Sequence, residues 1–191
     1  MFILWAIPVG IGAGLLAGGR LGALATLRFR WGAVAVAGLL VQVLLFTPTG
    51  EAVAGNLVPA IYLGSTLVVF AAVLRNLRLP GMPLIALGSI SNLAAIAANG
   101  GSMPASATAL VAAGLDTEDH ANSVVLPNPA LAPLTDIFAI PAGVPFANVF
   151  SVGDVLIAAG VVVLIAVTMR RPVPDAPDAG TAEGAPVSAA R

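Results

Sequence analysis

The sequence predicts an all-α membrane protein: a bundle of five transmembrane helices with the N-terminus outside and the C-terminus inside. Three observations carry this reading. First, 59% of the 191 residues are hydrophobic and only 9% are charged, whereas a soluble domain carries roughly 25% charged residues. With a mean hydropathy of +1.01, the chain has too little polar surface to cover a soluble fold. Second, five apolar runs approach the ~20 residues that a spanning helix needs. They are residues 2–19, 32–48, 57–75, 82–99 and 152–169. Third, the eight basic residues, all arginine, fall where they would share one face of a membrane. Arg20, Arg28 and Arg30 separate runs one and two, Arg75 and Arg78 separate runs three and four, and Arg170, Arg171 and Arg191 follow run five. Arginine in short loops marks the cytoplasmic side, and five spans then put the carboxyl end inside.

Each element has local support. Residues 2–19 carry no side-chain charge, and Arg20 follows them. A cleaved signal peptide has the opposite polarity, with its basic region first, so this run reads as a retained helix. Trp31 opens the second span at the inner interface, where aromatic rings anchor. Pro48-Thr49-Gly50 reads as its close. Pro59 falls in the first turn of the third span, where a missing N–H costs little. Leu79-Pro80-Gly81 makes the next inner turn, and Asn99-Gly100-Gly101 ends the fourth span with residues that tolerate a left-handed cap.

Residues 100–150 form the large outer segment of the 1–170 bundle. Ala105 to Leu115 reads as a short amphipathic helix started by Ser106, and Asp116 to Ser123 is strongly polar. Val124 to Phe150 is apolar but is cut by Pro127, Pro129, Pro133, Pro141 and Pro145, so it cannot span as a regular helix. Residues 171–191, rich in Pro, Ala, Gly and Asp, read as a disordered cytoplasmic tail.

Composition excludes several chemistries. There is no cysteine, hence no disulfide, thiolate metal site or thiol nucleophile. So small a basic set gives no footprint for nucleic acid. His120, beside Asp116, Glu118 and Asp119, has no second His or Cys to complete a metal site. No metal and no cofactor is expected, and no acid or base sits in mid-span, which argues against ion-coupled transport.

The candidate residues are few. Gly10, Gly14 and Gly18 recur every four residues and would bring one face of the first helix close to a neighbour, in the same bundle or in a homodimer. Gln42, Ser65, Thr66, Ser89, Ser91 and Asn92 are polar groups within spans and need hydrogen-bond partners there. Asp154 opens the fifth span, and Ser151 stands three residues before it, the spacing of a capping box. The same carboxylate, hydrogen-bonded to Asn92, Asn99 or Asn148, would face a polar cleft under residues 100–150.

Three stretches carry a resemblance. Arg75 to Met82, Ala97 to Pro104 and Phe146 to Asp154, with the opening Met1 to Arg30, resemble an uncharacterised family of small bacterial multi-span proteins known only as a domain of unknown function. That resemblance implies a multi-pass protein of the bacterial inner membrane. Residues 88–165 are also similar to the C-terminal half of lipoprotein signal peptidase. Ser91-Asn92-Leu93-Ala94-Ala95 and Phe150-Ser151-Val152-Gly153-Asp154 sit where that family has its two aspartate motifs. Asp154 matches the second catalytic aspartate, but Ala95 replaces the first, and a single aspartate cannot run a two-carboxyl cycle.

The function expected is therefore that of a non-catalytic integral membrane protein, an accessory subunit or a lipid- or peptide-binding module. Its partners would be the lipid bilayer and a membrane protein or second copy, with no nucleic acid. The alternative is a degenerate or unconventional membrane hydrolase centred on Asp154, which requires a second carboxylate such as Asp136 to approach from the outer segment.

Overall fold

The computed structural model describes residues 2–115 and 123–172. Seven helices are found there: α1 (Ala6–Leu16), α2 (Gly32–Leu45), α3 (Pro48–Ala54), α4 (Val58–Arg75), α5 (Met82–Ala98), α6 (Ala107–Ala113) and α7 (Val152–Met169). A 3-10 turn, Phe2–Trp5, leads into α1. The five longest helices correspond to the five apolar runs. They pack as a row in the order α1–α7–α5–α4–α2, with the first two helices of the chain at its two ends.

Two stretches are long and apolar enough to cross a membrane by length and composition: Pro48–Arg75, of 28 residues, and Val152–Met169, of 18. Only 17% and 28% of their most apolar windows are buried inside the protein, the reverse of a soluble core helix. Phe2–Leu16, Gly32–Leu45 and Met82–Ala98 are apolar but shorter. The second run stops early for a local reason. Pro48 does not close it: Thr47 caps a new helix by accepting a hydrogen bond from the Gly50 N–H, and Pro48 occupies the first turn, where its missing donor is harmless. That new helix leads through the turn Gly55–Leu57 into α4.

The bundle is tightest where α5 crosses α7. A Cβ on Gly81 would run into the Gly160 carbonyl, and one on Gly88 would run into the Gly153 carbonyl. Glycine at both partners lets the backbones meet. On α1, Gly10 lies against Val162 and Ile165, and Gly14 against Met169, so both face α7 of the same chain. Gly18 stands apart: it lies beyond α1 at φ +76 and has nothing around its Cβ position.

One end of the row gathers the arginines, and every arginine among the described residues is exposed. The Arg20 N–H donates to the Met169 carbonyl at 2.8 Å, joining the first loop to the end of α7. Arg75 lies over the Trp31 ring, 5.9 Å from its centroid. The opposite end carries residues 100–115 and 123–150, and there the all-α expectation needs correction. Strand β1 (Met103–Pro104) pairs in parallel with β2 (Ser123–Val124), and β3 (Phe138–Ile140) pairs antiparallel with β4 (Asn148–Phe150). Prolines break any helix here, and paired extended backbone satisfies the N–H and C=O groups instead. Ser106 does precede α6, though its hydroxyl makes no cap bond. Asp116, Glu118, Asp119, His120 and the tail from residue 173 onward lie outside the described residues.

Candidate functional site

Asp154 is held by its own helix and by its neighbour. The Ser151 hydroxyl accepts from the Asp154 N–H at 3.1 Å, and Asp154 Oδ2 accepts from the Ser151 N–H at 3.0 Å, a complete capping box. From α5, the Asn92 amide donates to Asp154 Oδ1 at 2.9 Å. Ser151 is fully buried, and its single hydroxyl proton is shared between Asn92 Oδ1 at 2.9 Å and Asp154 Oδ2 at 3.1 Å. Gly153 makes this closure possible, because a Cβ there would collide with Asn92 Oδ1. Both Asp154 oxygens thus have donors within the protein.

Asp154 also lines a cavity of about 400 Å³. The two ends of the helix row reach it, Phe2–Leu4 from one side and Leu39 and Gln42 of α2 from the other. Val69, Phe70, Ile96, Phe150 and Ile157 supply an apolar wall, while Tyr62, Thr66, Ser89, Asn92 and Asn148 supply polar groups. Phe2 stacks on Phe150 with centroids 4.3 Å apart, and Phe150 stacks on Phe138 at 5.5 Å, tying the 3-10 turn before α1 to strands β3 and β4.

A second carboxylate enters the same cavity. Asp136 follows Thr135, just before β3, and is pinned by its backbone: its N–H donates to the Pro104 carbonyl at 3.0 Å, and its carbonyl accepts from the Ser106 N–H at 2.9 Å. Its side chain is 9% exposed. Its Oδ1 is buried without a hydrogen-bond partner among the described residues. Burial, and then the nearby charge of Asp154, push the Asp136 carboxyl up to about 7. Among the described residues, no arginine or histidine lines the cavity.

A family model for a family of unknown function, DUF5317, matches residues 26–166. The chain belongs to this family. No curated protein matches it, and no solved structure does. The similarity of residues 88–165 to lipoprotein signal peptidase therefore finds no support. The DUF5317 match contains both cavity carboxylates and Asn92, whereas Phe2–Leu4 precede it.

The predicted polar residues divide in this DUF5317 chain. Asn92 bonds Asp154, and Asn148 lines the same cavity while its side chain accepts from the Val149 N–H. Asn99 sits elsewhere: it donates to the Ala95 and Ala130 carbonyls and accepts from the Ala130 N–H, fastening the chain around Ala130 to the end of α5. Gln42 donates to Thr66 at 3.2 Å, and Ser65 and Thr66 both bond the Tyr62 carbonyl. Ser91 Oγ is buried without a partner among the described residues and does not line the cavity. Sequence reasoning overlooked the glycines of the α5–α7 crossing. Their signal was present in the sevenfold spacing of Gly81 and Gly88, matched by Gly153 and Gly160.

Proposed function

We propose that this chain is a five-span protein of the bacterial inner membrane whose outer end binds a small amphiphile. Lipid contact is favoured by the low burial of the two longest helices and by large apolar side chains exposed along α2, among them Val36, Leu40, Val43 and Leu44. Orientation follows from the arginine loops gathered at one end, with residues 100–150 outside. A partner protein or second copy would dock on the same apolar faces. Gly10 and Gly14 are already used against α7 and are not free for a dimer seam.

The observation that carries the binding reading is the cavity itself, an apolar wall with a polar floor of Asn92, Asp136 and Asp154. Ligand sites commonly combine a mostly apolar lining with a few placed polar groups. Native mass spectrometry of the full chain, released from mild detergent, should find one bound amphiphile. Leu39→Trp, at the half-exposed rim, should remove it while leaving the helical content by circular dichroism unchanged. An identical ligand complement in Leu39→Trp would remove the cavity from the proposal. Topology has its own test in this cysteine-free chain. Ala107→Cys should react with an impermeant maleimide on intact cells, and Ala25→Cys only after permeabilisation. Reaction of both on intact cells would overturn the five-span arrangement.

A second reading, a membrane hydrolase, is favoured by the meeting of Asp136 and Asp154 in one cavity. Two carboxyls in unequal environments are what proton transfer to and from water requires. In a deletion-complementation assay, this reading expects Asp136→Asn to abolish function while amphiphile binding persists. Retained complementation would dismiss it.

A further inference from the structure

Asp136 is a buried carboxylate whose environment is incomplete. Its side chain is more than nine-tenths buried, it lines the cavity, and Oδ1 has no donor among the described residues. Ser91 Oγ and Thr168 Oγ1 are also without partners among the described residues, but they are neutral hydroxyls and neither lines the cavity. A buried acceptor without a donor is costly, and more so when charged. The backbone of Asp136 is fixed on both sides by Pro104 and Ser106, so the side chain cannot leave by a small loop movement. Asp154, which faces the same space, already has its protein donors. The cavity therefore presents negative charge and unfilled acceptor capacity, with no basic side chain among the described residues lining it and an apolar wall beside it.

Resting on the amphiphile-binding reading, we propose that the cavity selects a primary ammonium group attached to an apolar chain, with the ammonium seated between Asp136 and Asp154. An ammonium supplies three donors and a positive charge, which answers the bare Oδ1 and relieves the repulsion between the two carboxylates. Anionic head groups, phosphate included, would face two carboxylates with no arginine or histidine among the described residues to receive them. The chain of the ligand would lie along Val69, Phe70, Ile96 and Ile157.

Proton competition gives the proposal a second handle. The titratable groups facing Asp136 among the described residues are Asp154 from α7 and Tyr62 from α4. With Asp136 titrating at about 7, acidification fills with a proton the acceptor that the ammonium needs.

The test uses the full chain in maltoside detergent and follows the shift in melting temperature with octylamine, octanol and octanoate. Octylamine should stabilise most, octanol less and octanoate least. The octylamine effect should weaken as pH falls from 8 to 6. In Asp136→Asn, which keeps the shape of the side chain, the apparent octylamine affinity should drop by about tenfold or more. Should octanol match octylamine, or Asp136→Asn bind octylamine as wild type does, ammonium selection is wrong while the amphiphile cavity stands. Absence of any shift with all three probes would overturn the cavity reading and this inference together.

Discussion

Asn76 and Asp136 are both deeply buried polar side chains, at opposite ends of the bundle, and the protein treats them in opposite ways. Asn76, 4% exposed, has its side chain satisfied on both sides. Its Oδ1 accepts from the Arg30 N–H at 2.8 Å, and its amide donates to the carbonyls of Arg30 and Ala72, each at 2.7 Å. Two arginine-bearing loops are thereby locked to each other. Asp136, almost as buried, carries a charge-bearing group with a bare oxygen. Folding alone explains the first arrangement, because a buried polar group that is paired fixes one structure. It does not explain the second, which is destabilising unless something else arrives. The lesson is that burial of a polar residue does not separate structure from function here, whereas completeness of its hydrogen bonding does.

That comparison can be broken by mutation, and the largest effect belongs to the framework both ends depend on. Gly160→Leu should prevent accumulation of folded protein, since even a Cβ there meets the Gly81 carbonyl and Ile85. Gly12→Leu, where nothing lies within 4 Å of the Cβ position, should be tolerated. Equal expression of the two variants would contradict the close crossing. Asn76→Ala should come next, costing about 2–4 kcal/mol, because it strands the Arg30 N–H and carbonyl as well as losing its own bonds. A thermal melt that moves by less than the error between repeats would show the arginine loops to be held by other means. Asp154→Asn should cost less, about 1 kcal/mol, as the capping and dipole contacts weaken but do not vanish. The same change removes a charge that raises Asp136, so the pH dependence attributed to Asp136 should move to lower pH. If it stays in place, the two carboxylates do not sense each other.

Much of the helical frame was legible in the sequence. Runs of about 17–20 apolar residues bounded by Arg, Pro and Gly left few alternatives, and α4, α5 and α7 fall within a residue or so of the expected limits. The capping box at Ser151 and Asp154 was legible because it is a contact between residues three apart. The Asn92–Asp154 bond, from α5 to α7, was one of three options that the sequence left open. The restart of helix at Pro48 was misread because a proline that ends one helix and a proline that begins the next look alike until Thr47 is seen to cap. The strands between α5 and α7 were invisible: two- and three-residue segments such as Met103–Pro104 and Phe138–Ile140 have no measurable alternation. Asp136 could be named as a partner carboxylate, but its arrival in the cavity depends on the backbone bonds to Pro104 and Ser106, which are tertiary.

The most direct test of the central claim is the stability of Asp136→Asn relative to wild type, followed by thermal unfolding from pH 4 to pH 8 without added ligand. A carboxyl raised in the folded state from 3.8 to about 7 lends stability that is fully present below about pH 4. That stability is lost as the pH rises through 7. The asparagine variant does not titrate. It should melt with wild type near and below pH 4 and increasingly above it from there to pH 8, by an amount bounded on the order of 4 kcal/mol. That outcome would mark Asp136 as a group kept at a cost to the fold. A variant less stable than wild type at both pH values would make Asp136 a structural residue like Asn76 and contradict the account.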